Sequence, residues 1–542
     1  MPDTPYFSRR GILTTGLGLA GAGALGTWST APAAALPAAP YAAGQREPYR
    51  PGVHFTPARN WMNDPNGLIH HRGRYHLFFQ YNPSGNTWGN MSWGHAVSSD
   101  LVHWEELPVA LPQDEQEMVF SGSVVCDRNN TSGLGTTAAP PLVAVYTSMV
   151  KATGGQRQSL AFSTDDGTTW TKYSGNPVLD IGSDNFRDPK VFWHAPTGQW
   201  VMAVALAAEH RIRFYGSPDL RHWTHLSDFG PSGATGGVWE CPDLFPLTVD
   251  GDPLHTRWVL VVNLNPGGPA GGSGAQYFIG DFDGHRFTAD PRLPARWLDH
   301  GADAYAAATY NDAPDGRRIM IAWMNNWLYG EKIPTSPWRS AMTFPRELGL
   351  RATADGGTVL VQRPVGEVRG LRGRPLAQIA NRPVEPGATR LLRDTGQSYE
   401  IEAELRPDGA RRFGLDVRTG AGHRTRIGYD TRSGELFLDR TAAGEGDFAA
   451  EFPAVHRAPV GLTGGGLRLR LLVDASSVEV FADGEARCLT DQIFPGPADT
   501  GLEVFAEGGG AHLTRLTVWP LGTGKESASI RPKVVTRDGT CP

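Results

Sequence analysis

The sequence predicts an all-β chain, a five-bladed β-propeller followed by a C-terminal antiparallel β-sandwich. Three observations carry this. Helical periodicity is scarce, and apolar runs of about five residues alternate with clusters of Gly, Asp, Asn and Pro, the pattern of many short strands. A turn-like segment recurs along the first 350 residues. Past Gly349 the texture changes: Arg and Gly rise, Trp nearly vanishes, and polar–apolar alternation becomes regular.

In chain order, the N-terminus comes first. Ser8-Arg9-Arg10-Gly11 precedes an apolar run from Ile12 to Trp28 and the small-residue stretch Ala33-Ala34-Ala35. This reads as a twin-arginine export signal and leader over 1–45. The run is short for a membrane span and broken by Gly and Thr. The mature chain is therefore expected to be secreted and free of the membrane. Net charge is −6 and the pI about 6.2, which argues against nucleic acid or an anionic membrane surface as partner. A monomer is expected.

The propeller is assigned to 46–350. Tyr75–Tyr81, Leu142–Tyr146, Trp200–Val204, Trp258–Val262 and Arg318–Trp323 each read as the central strand of one small sheet, giving five blades. The repeat supports this. Ser99-Asp100-Leu101-Val102-His103-Trp104 returns as Ser217-Pro218-Asp219-Leu220-Arg221-His222-Trp223. Ser163 to Trp170 is a looser copy, and Asp281 to Phe287 a fourth with Phe in the Trp place. Residues 351–387 read as a linker zone, 388–521 as the sandwich and 522–542 as a polar tail. Within the sandwich, Ser398–Leu405, Leu467–Val473 and Ser477–Phe481 alternate like half-buried strands, and Asp483-Gly484 is a hairpin signal.

Three acidic blocks stand out. Trp61-Met62-Asn63-Asp64-Pro65-Asn66-Gly67 puts a carboxylate on what Pro and Asn-Gly make a rigid bend. Phe186-Arg187-Asp188-Pro189 and Trp239-Glu240-Cys241-Pro242-Asp243 are the others. Each acid lies one or two residues before a Pro and leads into a strand-like run, near the axial start of an inner strand. Taken singly, each block also reads as a structural turn. Arg187 is expected to keep Asp188 ionised, and the drier setting of Glu240 to favour its protonated form. The cysteines Cys126, Cys241, Cys488 and Cys541 fit no zinc spacing and are expected to be mostly free or buried. No metal-ligand spacing and no phosphate-binding Gly loop before a helix occur, so no metal and no cofactor are expected.

The seven residues from Trp61 to Gly67, followed in order by the other blocks, resemble glycoside hydrolase family 32, the invertases, inulinases and levanases. The resemblance spans roughly 49–520. It implies a five-bladed propeller and a β-sandwich. It also implies Asp64 as nucleophile, Glu240 as general acid/base and Asp188 as the transition-state stabiliser that holds fructose hydroxyls. Phe79-Gln80-Tyr81-Asn82-Pro83, Trp88-Gly89-Asn90-Met91 and Phe120-Ser121-Gly122-Ser123 resemble further family blocks. They imply substrate contacts at Gln80, Trp88, Phe120 and Ser121, with Asn63, Arg187 and Trp338 as the remaining binding residues. The implied activity is retaining hydrolysis of β-fructans (levan or inulin) and sucrose through a covalent fructosyl-enzyme. The block from Asn263 to Phe282 looks most like exo-acting enzymes. Levanbiose-releasing, endo-acting and fructotransferase activities stay open, as does a catalytically dead fructan-binding protein.

Overall fold

In the computed structural model, which describes residues 47–522, helix is confined to four short 3₁₀ turns and the remaining regular structure is strand. The export leader at 1–45, the tail beyond 522 and Cys541 lie outside the described residues. The first half builds five antiparallel groups of strands, the fourth and fifth joined where Val249 pairs with Leu350. Each group starts with an inner strand: Asn60–His71, Glu117–Cys126, Phe186–His194, Val238–Val249 and Tyr305–Thr309. These pack against one another in that order, and the fifth returns to the first. All five segments read as central strands lie in the strand that follows an inner one within its group.

The ring is laced in two places. Asn60 and Trp61 pair in parallel with Trp338 and Arg339. Below, the Asn311 carbonyl accepts the His70 N–H at 3.0 Å, and its side-chain amide donates to the Val124 and Val191 carbonyls at 2.9 and 3.1 Å. One residue just past the fifth inner strand thus ties the first three together.

The repeated segment is a turn whose Asp does the same work in each copy. Asp100, Asp219 and Asp283 each accept backbone N–H groups from the residues two and three further on. Asp165 accepts from Thr169. The residue after each Asp (Leu101, Asp166, Leu220, Gly284) has positive φ. The Asp carboxylate stabilises a left-handed step that costs a side-chain-bearing residue about 1 kcal/mol or more.

The five inner strands share one irregularity. In each, two residues oppose a single residue of the neighbouring strand: Asn63–Asp64, Phe120–Ser121, Asp188–Pro189, Cys241–Pro242 and Ala306–Ala307. These are β-bulges, which re-aim side chains and suspend the ladder locally. The rigid bend expected at Asp64 is therefore a bulge inside a continuous strand. Pro189 and Pro242 are tolerated because a bulged position need not donate, and Pro65 directly follows its bulge, where the register resumes opposite Phe79. Asp188, Cys241 and Ala306 take positive φ at their bulges, a strain of about 1–3 kcal/mol each that the ring must hold. Gly122 follows the second bulge because a Cβ there would lie 2.1 Å from the Val145 carbonyl oxygen.

The second half is two six-stranded antiparallel sheets enclosing an apolar core. The Asp483-Gly484 hairpin forms, with positive φ at both residues. The linker zone needs correction. Thr358–Pro364 pairs with Arg346–Ala352 as the outer strand of the fifth group, and Ala377–Val384 already belongs to the sandwich. Only a 3₁₀ segment, Gly366–Leu371, and its flanks connect the halves. The halves are clamped by buried charge. His54 sits between Asp474 (2.7 Å) and Glu479 (2.9 Å). Arg346 bridges Glu479 (2.6 Å) and Asp299 (3.0 Å), and Arg440 meets Asp303 at 2.6 Å.

Candidate active site

The bulges lie at one height, so residues distant in sequence converge. Asp64, in the first, accepts hydrogen bonds on both oxygens: Oδ1 from Asn63 Nδ2 at 2.9 Å and Oδ2 from Ser121 Oγ at 2.6 Å. Asn63 is itself fixed by the Trp61 indole N–H at 2.8 Å. Asp188, in the third, accepts the backbone N–H of Cys241 at 3.0 Å on Oδ2. The Cys241 sulfur lies 3.6 Å from both Asp64 Oδ2 and Asp188 Oδ2, so one atom of the fourth bulge sits between the two carboxyl groups. Glu240 precedes that bulge. Its Oε1 accepts Arg187 Nε at 2.9 Å and its Oε2 accepts the Tyr305 hydroxyl.

The three carboxyl groups belong to one electrostatic unit. Burial pushes Asp64 above the ordinary carboxylate range; its hydrogen bonds from Ser121 and Asn63 oppose this, and the Glu240 charge adds to it. Burial likewise pushes Asp188 up; Arg187 opposes this, but the charges of Glu240 and Asp64 add to it. The expectation that Arg187 would keep Asp188 ionised is thus corrected. The guanidinium turns to Glu240, and its Nε stays 3.9 Å from Asp188. Burial and the three neighbouring acids hold the Cys241 thiol well above its usual range, so it stays protonated.

The other predicted residues divide. Trp88 and Phe120 meet edge to face at 6.1 Å beside the acids. They belong to a cluster in which Trp61, Met91, Tyr305 and Trp323 are buried and Trp88, Met118, Met149 and Trp327 are partly open. This is an apolar wall along one side of the acids. Gln80 is buried and spends its amide on the Val119 carbonyl at 3.1 Å, which makes it a support of the second inner strand. Trp338 is corrected: it is 1% exposed, with the Arg50 guanidinium 4.9 Å above its ring, so it presents no surface to a ligand. The partly open tryptophan of the nearby cluster is Trp327, which packs on Trp323 at 4.9 Å with the rings tilted by 49°. Sequence reasoning missed Trp327 and Tyr305. The segment Tyr305-Ala306-Ala307-Ala308 has neither acid nor Pro, and only the shared bulge identifies it as the fifth member of the set. The sandwich braces both. Arg440 holds Asp303 and the Tyr329 hydroxyl, which flank Tyr305 and Trp327 in sequence.

A ring of strands that collects three carboxyl groups beside a partly open aromatic wall defines a glycoside-cleaving class, because paired carboxyl groups are how glycosidic bonds are broken. The comparison with known sequences makes the class specific. The glycosyl hydrolases family 32 N-terminal domain matches residues 54–364 and the family's C-terminal domain matches 367–520, and the chain belongs to this family. It is 49% identical over 484 residues to a levanase of Bacillus subtilis, covering 88% of this chain and 71% of that protein. It is 44% identical over 509 residues to an extracellular exo-inulinase of Aspergillus ficuum, covering 87% and 94%. The crystal structure of an exo-inulinase from Aspergillus awamori superposes with a TM-score of 0.85 at 42% identity, covering 88% of this chain and 98% of that one.

Proposed function

We propose that this glycoside hydrolase is a secreted, retaining exo-β-fructosidase that releases fructose from levan or inulin and also cleaves sucrose. The observation that carries the reading is the placement of the Cys241 sulfur 3.6 Å from both Asp64 and Asp188, with Glu240 next to it in the chain. Three acids can then address one sugar ring laid against Trp88 and Trp327. Asp64, held by Asn63 and Ser121, attacks the anomeric carbon. Glu240 gives a proton to the departing oxygen. The ester formed on Asp64 is then hydrolysed by water that Glu240, now a base, deprotonates. Asp188, which binds its proton more tightly than an ordinary carboxyl group, holds ring hydroxyls.

Export is supported by the apolar run behind Arg9-Arg10 and by the extracellular exo-inulinases among the relatives; the paired arginine is what favours the twin-arginine route. No helix among the described residues is long and apolar enough to cross a membrane. The net charge of −6 favours neither nucleic acid nor an anionic surface, and the enzyme is read as a monomer. The test is thin-layer analysis of products from sucrose, inulin and levan. Fructose alone supports exo-hydrolysis. An oligomer ladder, levanbiose or a dianhydride would replace the exo reading, and the absence of any released sugar would overturn the function.

A further inference from the structure

The inner strands have a second end. A cavity of about 610 Å³ opens where the second and third of them finish, beside Leu244 and Pro246 of the fourth, lined among others by Phe192, Trp193, Trp258, Arg128 and Asp312. This is within the size range of ligand pockets. Trp193 lies five residues beyond Asp188 on the same strand, roughly 16 Å further along at strand rise. The cavity is therefore separate from the site of the three acids.

Its walls have a definite chemistry. The Trp193 ring is 39% exposed and is braced edge-on by Trp200 at 5.1 Å. Phe192 and Trp258, both half-buried, pack at 5.8 Å on the other face of the same strand and also line the cavity. A single exposed tryptophan on a surface needs no explanation; one that shares an open cavity with two further half-buried aromatic rings presents a platform. The rim is polar but balanced. Arg128 pairs with Asp312 at 3.0 Å. Asp127 is consumed by the N–H and hydroxyl groups of Thr131 and Ser132. Arg318 donates to the Tyr310 carbonyl. The lining's two arginines, Arg128 and Arg318, are matched by two aspartates, Asp127 and Asp312, so it favours neither an anion nor a cation by net charge. Flat apolar faces flanked by paired donors and acceptors suit a neutral ligand with apolar ring faces and many hydroxyl groups.

We propose that this cavity is a second, non-catalytic carbohydrate site that grips a β-fructan chain and keeps the enzyme on polymeric substrate. The choice of fructan rests on the functional reading above. Mass action gives the site a purpose: a polymer offers many internal units for each chain end, so a grip on internal units keeps the catalytic pocket near further ends.

The experiment uses the full-length enzyme. Glu240→Gln protein is run on native gels containing levan or inulin, with and without Trp193→Ala. Retardation by fructan that weakens roughly tenfold on Trp193→Ala, the scale of a lost aromatic anchor, is the expected result. In the active enzyme Trp193→Ala should raise KM on the polymer and leave kcat and KM on sucrose unchanged. Arg128→Ala, at a side chain 68% exposed whose surface ion pair contributes at most about 1 kcal/mol, should weaken retardation in the same direction. Equal retardation with and without Trp193, or no retardation of the Glu240→Gln protein, overturns the site. Failure of the fructosidase reading is seen separately, as no sugar released from any fructan by the wild-type enzyme.

Discussion

Ser121→Ala removes one hydroxyl and leaves the ring intact. The Ser121 hydroxyl donates to Asp64 at 2.6 Å in a buried setting, and it is the largest of the influences that favour the ionised carboxylate there. A hydrogen bond to a charged group contributes about 1.5–3 kcal/mol, which corresponds to ~1–2 pH units. Asp64 attacks only when ionised, so activity rises with pH through its titration. Losing a donor to the ionised form moves that acid limb upward. The assay is kcat/KM for sucrose from pH 3 to 8, with circular dichroism to show that the fold persists. Asn63→Ala, which removes the other donor at 2.9 Å, should shift the same limb in the same direction. An acid limb at the wild-type position in a folded Ser121→Ala enzyme would refute the reasoning, because the limb would then not belong to Asp64.

Three further outcomes are expected. Burial opposes the charge on His54, but its bonds to Asp474 and Glu479 win and raise it to about 9. That clamp is complete below pH ~6.5 and disappears as pH rises through about 9, a loss of about 3 kcal/mol; urea unfolding should weaken over that window in wild type and not in His54→Gln. Arg440→Met leaves Asp303 buried without its cation, while Asp491 keeps His456 at 2.6 Å; losing the buried partner costs about 3–5 kcal/mol. Its denaturation midpoint should fall without a change in slope, and KM should rise because Tyr305 and Trp327 lose their brace. The protonated Cys241 thiol should resist alkylation in the native enzyme at pH 8, and peptide mass spectrometry should find it modified only after unfolding.

The sequence made the sheets legible because their central strands are dense in Val, Leu, Ile and aromatics, and because Asp100, Asp165, Asp219 and Asp283 reuse one capped turn. The acids were legible because Asp64-Pro65, Asp188-Pro189 and Glu240-Cys241-Pro242 each set a carboxylate one or two residues before a Pro, which cannot donate to a ladder. What stayed hidden depends on packing between distant segments. Trp338 matches a substrate-binding residue by resemblance until Arg50 is seen to cover it, and Arg187 reads as a partner of its neighbour until the bulge turns it toward Glu240. Tyr305 carries no local mark. Its role follows only from the fifth inner strand having the same two-against-one register as the other four.

In the proposed reaction Asp64 carries the sugar as a covalent ester. Glu240→Gln enzyme should be mixed with fructosyl fluoride, whose leaving group needs no acid, quenched in acid within milliseconds and digested for peptide mass spectrometry. A fructosyl ester on the peptide containing Asp64 is the predicted result. An adduct on Asp188, or turnover of the fluoride to the inverted anomer of fructose without an adduct, would contradict it.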